Sequence, residues 1–167
     1  PSDLRISRSL KKHLKRPFET RLNTAFGQVI ELCATVDKRE DATWISEDMR
    51  RAYQALHTAG FAHSIEVYED NMLIGGLYGL RLGSVFFGES MFSLKPNASK
   101  IALVALCHLA LKSEVALIDC QVENPHLRSL GARCISRAEF ESALAKFVPR
   151  PVTPDLWVLA LSTQDLS

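Results

Sequence analysis

Three strand-like runs, residues 62 to 69, 72 to 80 and 83 to 88, stand next to one another in the middle of the chain, and only Asp70-Asn71 separates the first two. Asp and Asn tolerate turn conformations that most residues resist, so this link sends the chain straight back on itself and the runs form an antiparallel meander. Helical patterns come before it, and a helix, a short strand and another helix come after it. That order predicts an α+β layer, a mostly antiparallel sheet packed by helices, rather than an all-parallel fold. A chain of 167 residues fits one domain, and a domain of that size buries roughly 70% of the surface its unfolded form exposes.

The flanking elements are read from periodicity and caps. Leu22, Phe26, Val29, Ile30 and Cys33 recur at helical spacing, which predicts an amphipathic helix over 20–35. Ser46 is a good N-cap for a second helix; Glu47 and Asp48 suit its positive end, Met49, Ala52, Tyr53 and Leu56 form its apolar stripe, and Gly60 stops it. Pro96 and Asn97 open a long apolar helix through about Leu111 that should pack on the sheet. Residues 115–120 are expected to form a short buried strand, 125–130 a helical turn ended by Gly131, and 137–147 a helix capped by Ser136. The last twenty residues, 148–167, carry Pro149, Pro151 and Pro154 and suggest an irregular strand or tail.

Charge is unevenly placed along the chain. Residues 1–21 carry seven basic side chains, among them Arg8, Lys11, Lys12, Lys15 and Arg16, against two acidic ones, while the rest is slightly acidic and the whole is only +1. Such a segment suits contact with a polyanion, or is simply a solvated helix face. Cys33, Cys107, Cys120 and Cys134 lie far apart with no C-x-x-C pair, and the five histidines show no ligand spacing, so neither a zinc site, a disulfide framework nor a cofactor is expected. No apolar run approaches the ~20 residues of a membrane span and the basic start is unlike a signal peptide, so a cytoplasmic location is expected.

Two segments concentrate chemistry. Gly88-Glu89-Ser90-Met91-Phe92-Ser93 follows the apolar run 84–87, and Ile118-Asp119-Cys120-Gln121 ends the next strand. Polar groups where buried strands stop are placed for a ligand. Strand alternation would project Asp119 and Gln121 to one side, a carboxylate beside an amide whose carbonyl can accept from an amine. Gly88 would let a ligand approach the backbone while Glu89 faces it, with Phe86, Phe87, Met91 and Phe92 lining an apolar pocket. The same residues also fit plainer roles: Asp119 and Gln121 as a hydrogen-bonded pair or a cap for the helix near Pro125, Glu89 as an ion-paired loop carboxylate, the aromatics as core. Trp44 fits either a stacking platform or a hydrophobic staple.

Taken in order, Ala42-Thr43-Trp44-Ile45, the run 60–67, Gly75-Gly76-Leu77-Tyr78-Gly79, Phe87 through Ser93, Asn97-Ala98-Ser99-Lys100 and Ile118-Asp119-Cys120-Gln121 resemble the leucyl/phenylalanyl-tRNA-protein transferases. Ile6-Ser7-Arg8-Ser9 with its basic tail and Ser129-Leu130-Gly131-Ala132 fit as well. The resemblance implies a GNAT-like acyltransferase fold over residues 1–167. It implies an enzyme that moves leucine or phenylalanine, and less readily methionine, from aminoacyl-tRNA to proteins beginning with Arg or Lys, marking them for degradation under the bacterial N-end rule. It carries over onto Asp119 and Gln121 as the pair handling the attacking amine and onto Glu89 beside the aminoacyl ester. Leu77, Phe86, Met91 and Ile118 fall at or near the amino-acid pocket with Gly88 and Ser93 beside it, and Trp44 matches a tryptophan that stacks on the terminal adenine. Arg8, Lys11, Lys12, Lys15 and Arg16 are the expected tRNA contacts.

One departure stands out. Family members begin with a further small domain that carries a second adenine-stacking tryptophan, and this chain starts just after that point, so half of the adenine clamp is expected to be absent. Two alternatives follow: a weak or inactive homologue that binds tRNA or N-termini, and an acetyl-CoA-dependent enzyme. The second expects a glycine-rich pyrophosphate loop at the start of the long helix, where 93–100 has no glycine.

Overall fold

The meander lies at the centre of a six-stranded sheet in a computed structural model that describes residues 1–36, 45–151, 157 and 161–162. The strands are β1 (Glu19–Leu22), β2 (Ala62–Glu69), β3 (Met72–Leu82), β4 (Val85–Ser93), β5 (Leu117–Asp119) and β6 (Leu161–Ser162), in the order β5-β4-β3-β2-β1-β6. Every neighbouring pair is antiparallel except β4 and β5, which run parallel. Asp70 and Asn71 join β2 to β3 with φ of 50° and 61°, the two left-handed residues a tight hairpin needs.

The helices are α1 (Arg8–Leu14), α2 (Phe26–Thr35), α3 (Glu47–Thr58), α4 (Ala98–Lys112), α5 (Pro125–Ser129) and α6 (Arg137–Phe147). Local cap chemistry sets the starts of α3 and α6. Ser46 accepts from the Met49 N–H, and Ser136 forms a full capping box with Glu139. None of these helices is long and apolar enough to cross a membrane.

The sheet separates two cores. On one face α4, apolar all round with eleven buried residues, packs with Leu10 of α1 over Ile65, Val67, Leu77 and Phe86. On the other, Phe26, Val29 and Ile30 of α2 and Tyr53 of α3 cover Tyr78 and Phe92. His57 of α3 stacks on Phe26 with ring centroids 4.2 Å apart.

The helix expected over 20–35 begins only at Phe26. Thr20 and Leu22 bury with period two as part of β1, and Asn23 turns the chain at φ 59°. The cause lies far along the sequence: the fully buried Glu66 of β2 accepts from the Thr24 hydroxyl at 2.9 Å, from the Thr24 and Ala25 N–H groups and from the Ser64 hydroxyl. A buried carboxylate is tolerable only with such donors, and they hold residues 23–25 out of the helix. Burial still raises the Glu66 carboxyl above its ordinary range against the pull of those donors.

Candidate active site at the fork between two strands

Two further expectations change in β4 and β5. The third strand does not stop at residue 88 but continues to Ser93, and the strand expected over 115–120 is only Leu117–Asp119. β4 therefore outruns its neighbour. The pairs Val85–Leu117, Phe86–Ile118 and Phe87–Asp119 join the two strands, and from Gly88 onward β4 has β3 alone among the described strands. A Cβ on Gly88 would sit 3.3 Å from the main-chain oxygen of Asp119, so in this structure it is β5's own carbonyl that comes close to this glycine.

A bulge opens the fork. Tyr78 pairs with Ser90 and Gly79 with Gly88, which leaves Glu89 as an extra residue in β4 opposite no partner. Two side chains an odd number of positions apart then share a face: Phe86 and Met91 belong to the core under α4, and Phe92 to the core under α2 and α3. The expected pocket of Phe86, Phe87, Met91 and Phe92 is thus divided by the sheet. Phe86 is fully buried and stacks on Trp157 at 5.5 Å, and Leu77 is buried beside it; Met91 and Ile118 are the half-buried members of the same cluster.

Asp119 shares the face of its partner Phe87, opposite to Phe86 and Ile118. Gln121 has left the strand: its φ is 58°, and its N–H donates to Asp119 Oδ1 at 2.8 Å. The alternation argument does not hold here, since the chain turns after Asp119. Asp119 fixes the exposed Gln121 through the main chain rather than side chain to side chain, and the cap of α5 is Asn124, which accepts from Leu127 N–H.

Glu89 lies on the side of α3, close to the Tyr53 hydroxyl. Burial, then the Glu89 carboxylate, raises the Tyr53 phenol above its usual range. The neighbouring Tyr78 phenol is raised by burial, with Cys33, Tyr53 and Glu89 adding to the effect, and its hydroxyl finds no partner among the described residues. Carboxylate and phenol form a polar spot at the rim of an aromatic cluster in which Tyr53 and Tyr78 meet edge to face at 5.2 Å. Sequence reading took Tyr53 as part of an apolar stripe and missed its hydroxyl, because nothing local tells which strand α3 will cross.

Ser93 has a structural partner. Its Oγ accepts from the Ser99 N–H at 2.9 Å, and the Ala98 N–H goes to Lys95 O, so the chain's own oxygens occupy the first amides of α4. Asn97 enters the helix at φ 68° with no side-chain cap.

On α1, Arg8, Lys11, Lys12 and Lys15 recur at i, i+3, i+4 and i+7 with Arg16 just beyond. All five are exposed opposite the buried Leu10. Among the described ion pairs none uses them, although Arg16 adds to the field that keeps Glu69 below its ordinary range behind its Lys95 partner. Trp44 lies outside the described residues; the next residue, Ile45, is buried in the core under α2 and α3.

Sequence reading also missed an open groove of about 1010 Å3 on the outer side of β5, which reaches Asp119 and Gln121 at one end and is walled by α6. Chemically, the fork gathers two carboxylates, an amide, a phenol and an unpaired strand edge beside an apolar cluster. These groups position, accept hydrogen bonds and hold a cationic group.

Known proteins share the fold and the sequence of this chain. Solved structures share the fold at low identity: an aminoglycoside acetyltransferase from an uncultured soil metagenomic sample (TM-score 0.56, 12% identity, 74% of this chain and 93% of that one) and a GNAT family acetyltransferase of Staphylococcus aureus (TM-score 0.50, 15% identity, 72% and 96%). The family model described as leucyl/phenylalanyl-tRNA protein transferase matches residues 1–145. Proteins named leucyl/phenylalanyl-tRNA–protein transferase are similar throughout: that of Shewanella piezotolerans is 51% identical over 95% of this chain and 67% of its own length, and that of Hydrogenovibrio crunogenus 48% identical over 98% and 64%. The chain spans about two thirds of the length of these relatives. With a GNAT-type sheet forked at Gly88 and this match over most of its length, the chain belongs to the leucyl/phenylalanyl-tRNA protein transferase family.

Proposed function

We propose that this chain transfers leucine or phenylalanine, and less readily methionine, from aminoacyl-tRNA to the N-terminal Arg or Lys of acceptor proteins in the cytoplasm, marking them for degradation. The observation that carries the reading is the meeting of Gly88-Glu89 and Asp119-Gln121 at one fork, in a chain that its family matches over residues 1–145.

The chemistry asks mainly for placement. An aminoacyl ester is already activated, and a free α-amine, with a pKa near ~7.7 to 8.0, is partly neutral at cellular pH. Holding amine and ester in a near-attack arrangement supplies roughly 7 to 11 kcal/mol of the barrier. In our reading the Gln121 side-chain carbonyl accepts a hydrogen bond from the attacking amine, held in place because Asp119 fixes its main chain. Glu89, beside the Tyr53 hydroxyl, binds the aminoacyl end or the acceptor's cation.

Met91 and Ile118 form the mouth of the pocket for the amino-acid side chain, with Leu77 and Phe86 beneath them, and Gly88 keeps the fork narrow. Each methylene in such a pocket is worth only ~1 to 3 kcal/mol, so selectivity is graded rather than absolute. Ser93 acts on this site indirectly, through the start of α4. Trp44 stacks on the terminal adenine, and the α1 cations hold tRNA phosphates without reading sequence.

The test is transfer of labelled phenylalanine from charged tRNA to a peptide beginning with Arg and to one beginning with Ala. Product on the Arg peptide alone supports the reading. Absence of any Arg-dependent product at high protein concentration overturns it in favour of a binding module.

A further inference from the structure

β5 is the edge of the sheet, and edges expose main-chain groups that can pair with an incoming strand. In a parallel pair alternate residues bond to the one neighbour. Leu117 N–H donates to Ser84 O at 3.3 Å, so the main-chain N–H and C=O of Ile118 turn away from β4, toward the groove outside β5.

The groove has the lining such a strand requires. Leu103 and Cys107 of α4 and Leu127 of α5 line it on the side of the body, and Phe140 and Leu144 of α6 line it from across. α6 has no fully buried residue, and its capping box holds its start, so its apolar stripe is left half-covered along this groove. Beyond Asp119 and Gln121, Val122, an apolar side chain that also lines the groove, is 75% exposed.

Charge points to the occupant. Five carboxylates line the groove; Arg133, Arg128 and Arg137 pair with Asp3, Glu123 and Glu141, while Asp119 and Glu139 have no cationic partner among the described ion pairs, a surplus of negative charge that favours a cationic chain. The groove is also continuous with Asp119 and Gln121, where the acceptor amine is placed above.

We propose that this groove binds the first residues of the acceptor polypeptide in extended form, as a strand added antiparallel to β5, with its α-amine at Gln121 and its chain running toward Ala116. The inference rests on the proposed transfer reaction. It accounts for how acceptors that share only their first residue can be held: beyond that residue the enzyme binds main chain, which every acceptor has. An extended acceptor of five residues covers about 17 Å at roughly 3.3 Å per residue, enough to pass from Gln121 along the three residues of β5, so the benefit of acceptor length should saturate near the fifth residue.

The test is anisotropy of dye-labelled peptides beginning with Arg, two and six residues long, on the full chain. The six-residue peptide is expected to bind about tenfold or more tightly than the dipeptide. N-methylation of one alternate set of its amides should remove that gain and methylation of the other set should not, while Leu144→Asp should weaken only the longer peptide. Deuterium exchange at the Ile118 amide should slow when the long peptide binds. Equal affinity at both lengths, or a gain indifferent to which set is methylated, overturns the strand addition. Failure of the Arg-against-Ala transfer assay would instead overturn the reaction itself, so the two failures are distinct.

Discussion

The carboxylate of Asp119 accepts its hydrogen bond from the main-chain N–H of Gln121, at 2.8 Å, and not from the Gln121 side chain. This separates two roles that one residue could combine, holding a turn and supplying a negative charge. Gln121 sits at φ 58°, a conformation a non-glycine residue adopts only when its surroundings hold it there.

Asp119→Asn keeps an oxygen for that N–H and loses the charge, whereas Asp119→Ala loses both. If turn-holding is the main contribution, transfer to an Arg peptide should fall about tenfold or more in the alanine variant and clearly less in the asparagine variant, mainly in kcat. Melting temperatures should stay close to the parent, because the bond is exposed. Steady-state kinetics on the three proteins checks this, and equal losses in both variants would assign the effect to charge.

Deleting Glu89 gives a second test. Without it Gly88 and Ser90 become neighbours, the ladder with β3 becomes regular, and Met91 and Phe92 keep their faces. The deletion should therefore preserve the fold by circular dichroism and cooperative melting while transfer drops below detection, since the carboxylate and the bend are both gone. Unfolding of the deletion protein would show that the bulge serves packing.

Acid stability should depend on His63. Burial foremost, then the charges of Arg81 and His57, pushes its pKa down to about 4. The ring accepts at Nδ1 from Asn23 Nδ2, whose orientation is fixed because Asn23 Oδ1 accepts from Ser64 N–H. A second proton on the ring would set donor against donor. Because the folded pKa lies below the unfolded value near 6.5, this contribution is complete above about pH 6.5. It fades as pH falls toward 4, by at most about 3 kcal/mol. His63→Gln should flatten that limb of a stability-against-pH curve from urea melts; an unchanged slope between pH 6.5 and 4 would count against it.

If the α1 cations hold tRNA phosphates, binding should be salt-sensitive. Replacing Lys11, Lys12 and Lys15 by Ala should weaken charged tRNA and reduce the slope of log affinity against log salt by roughly two to three. Filter binding at several salt concentrations measures both, and an unchanged slope would place the phosphate contacts elsewhere.

What could be read from the chain in advance follows the range of the forces involved. α3 and α6 start where Ser46 and Ser136 said they would, because a cap is made within three residues. The β2–β3 hairpin likewise carries its own turn in Asp70 and Asn71. The path of residues 20–25 was misread because Glu66, more than forty positions away, decides it. The bulge at Glu89 is a matter of register with β3, and the departure of Gln121 from strand geometry is set by one side-chain hydrogen bond. Neither leaves a trace in hydrophobic periodicity. Asp119, Gln121 and Glu89 could be named from the chain as candidates, but their faces and the closeness of Tyr53 needed the sheet.

The hydroxyl of Ser93, which accepts from the Ser99 N–H in the first turn of α4, has a wider consequence. Helix starts of this kind are ready-made cradles for phosphate, and here the Ala98 and Ser99 amides are already taken from within by the neutral oxygens of Lys95 and Ser93. In the proposed reaction, attraction for a polyanion then falls to flexible lysine and arginine side chains on the separate helix α1, which are indifferent to the exact position of any one phosphate. A short pocket for a fixed small anion is thereby exchanged for a surface able to follow a long, bending backbone.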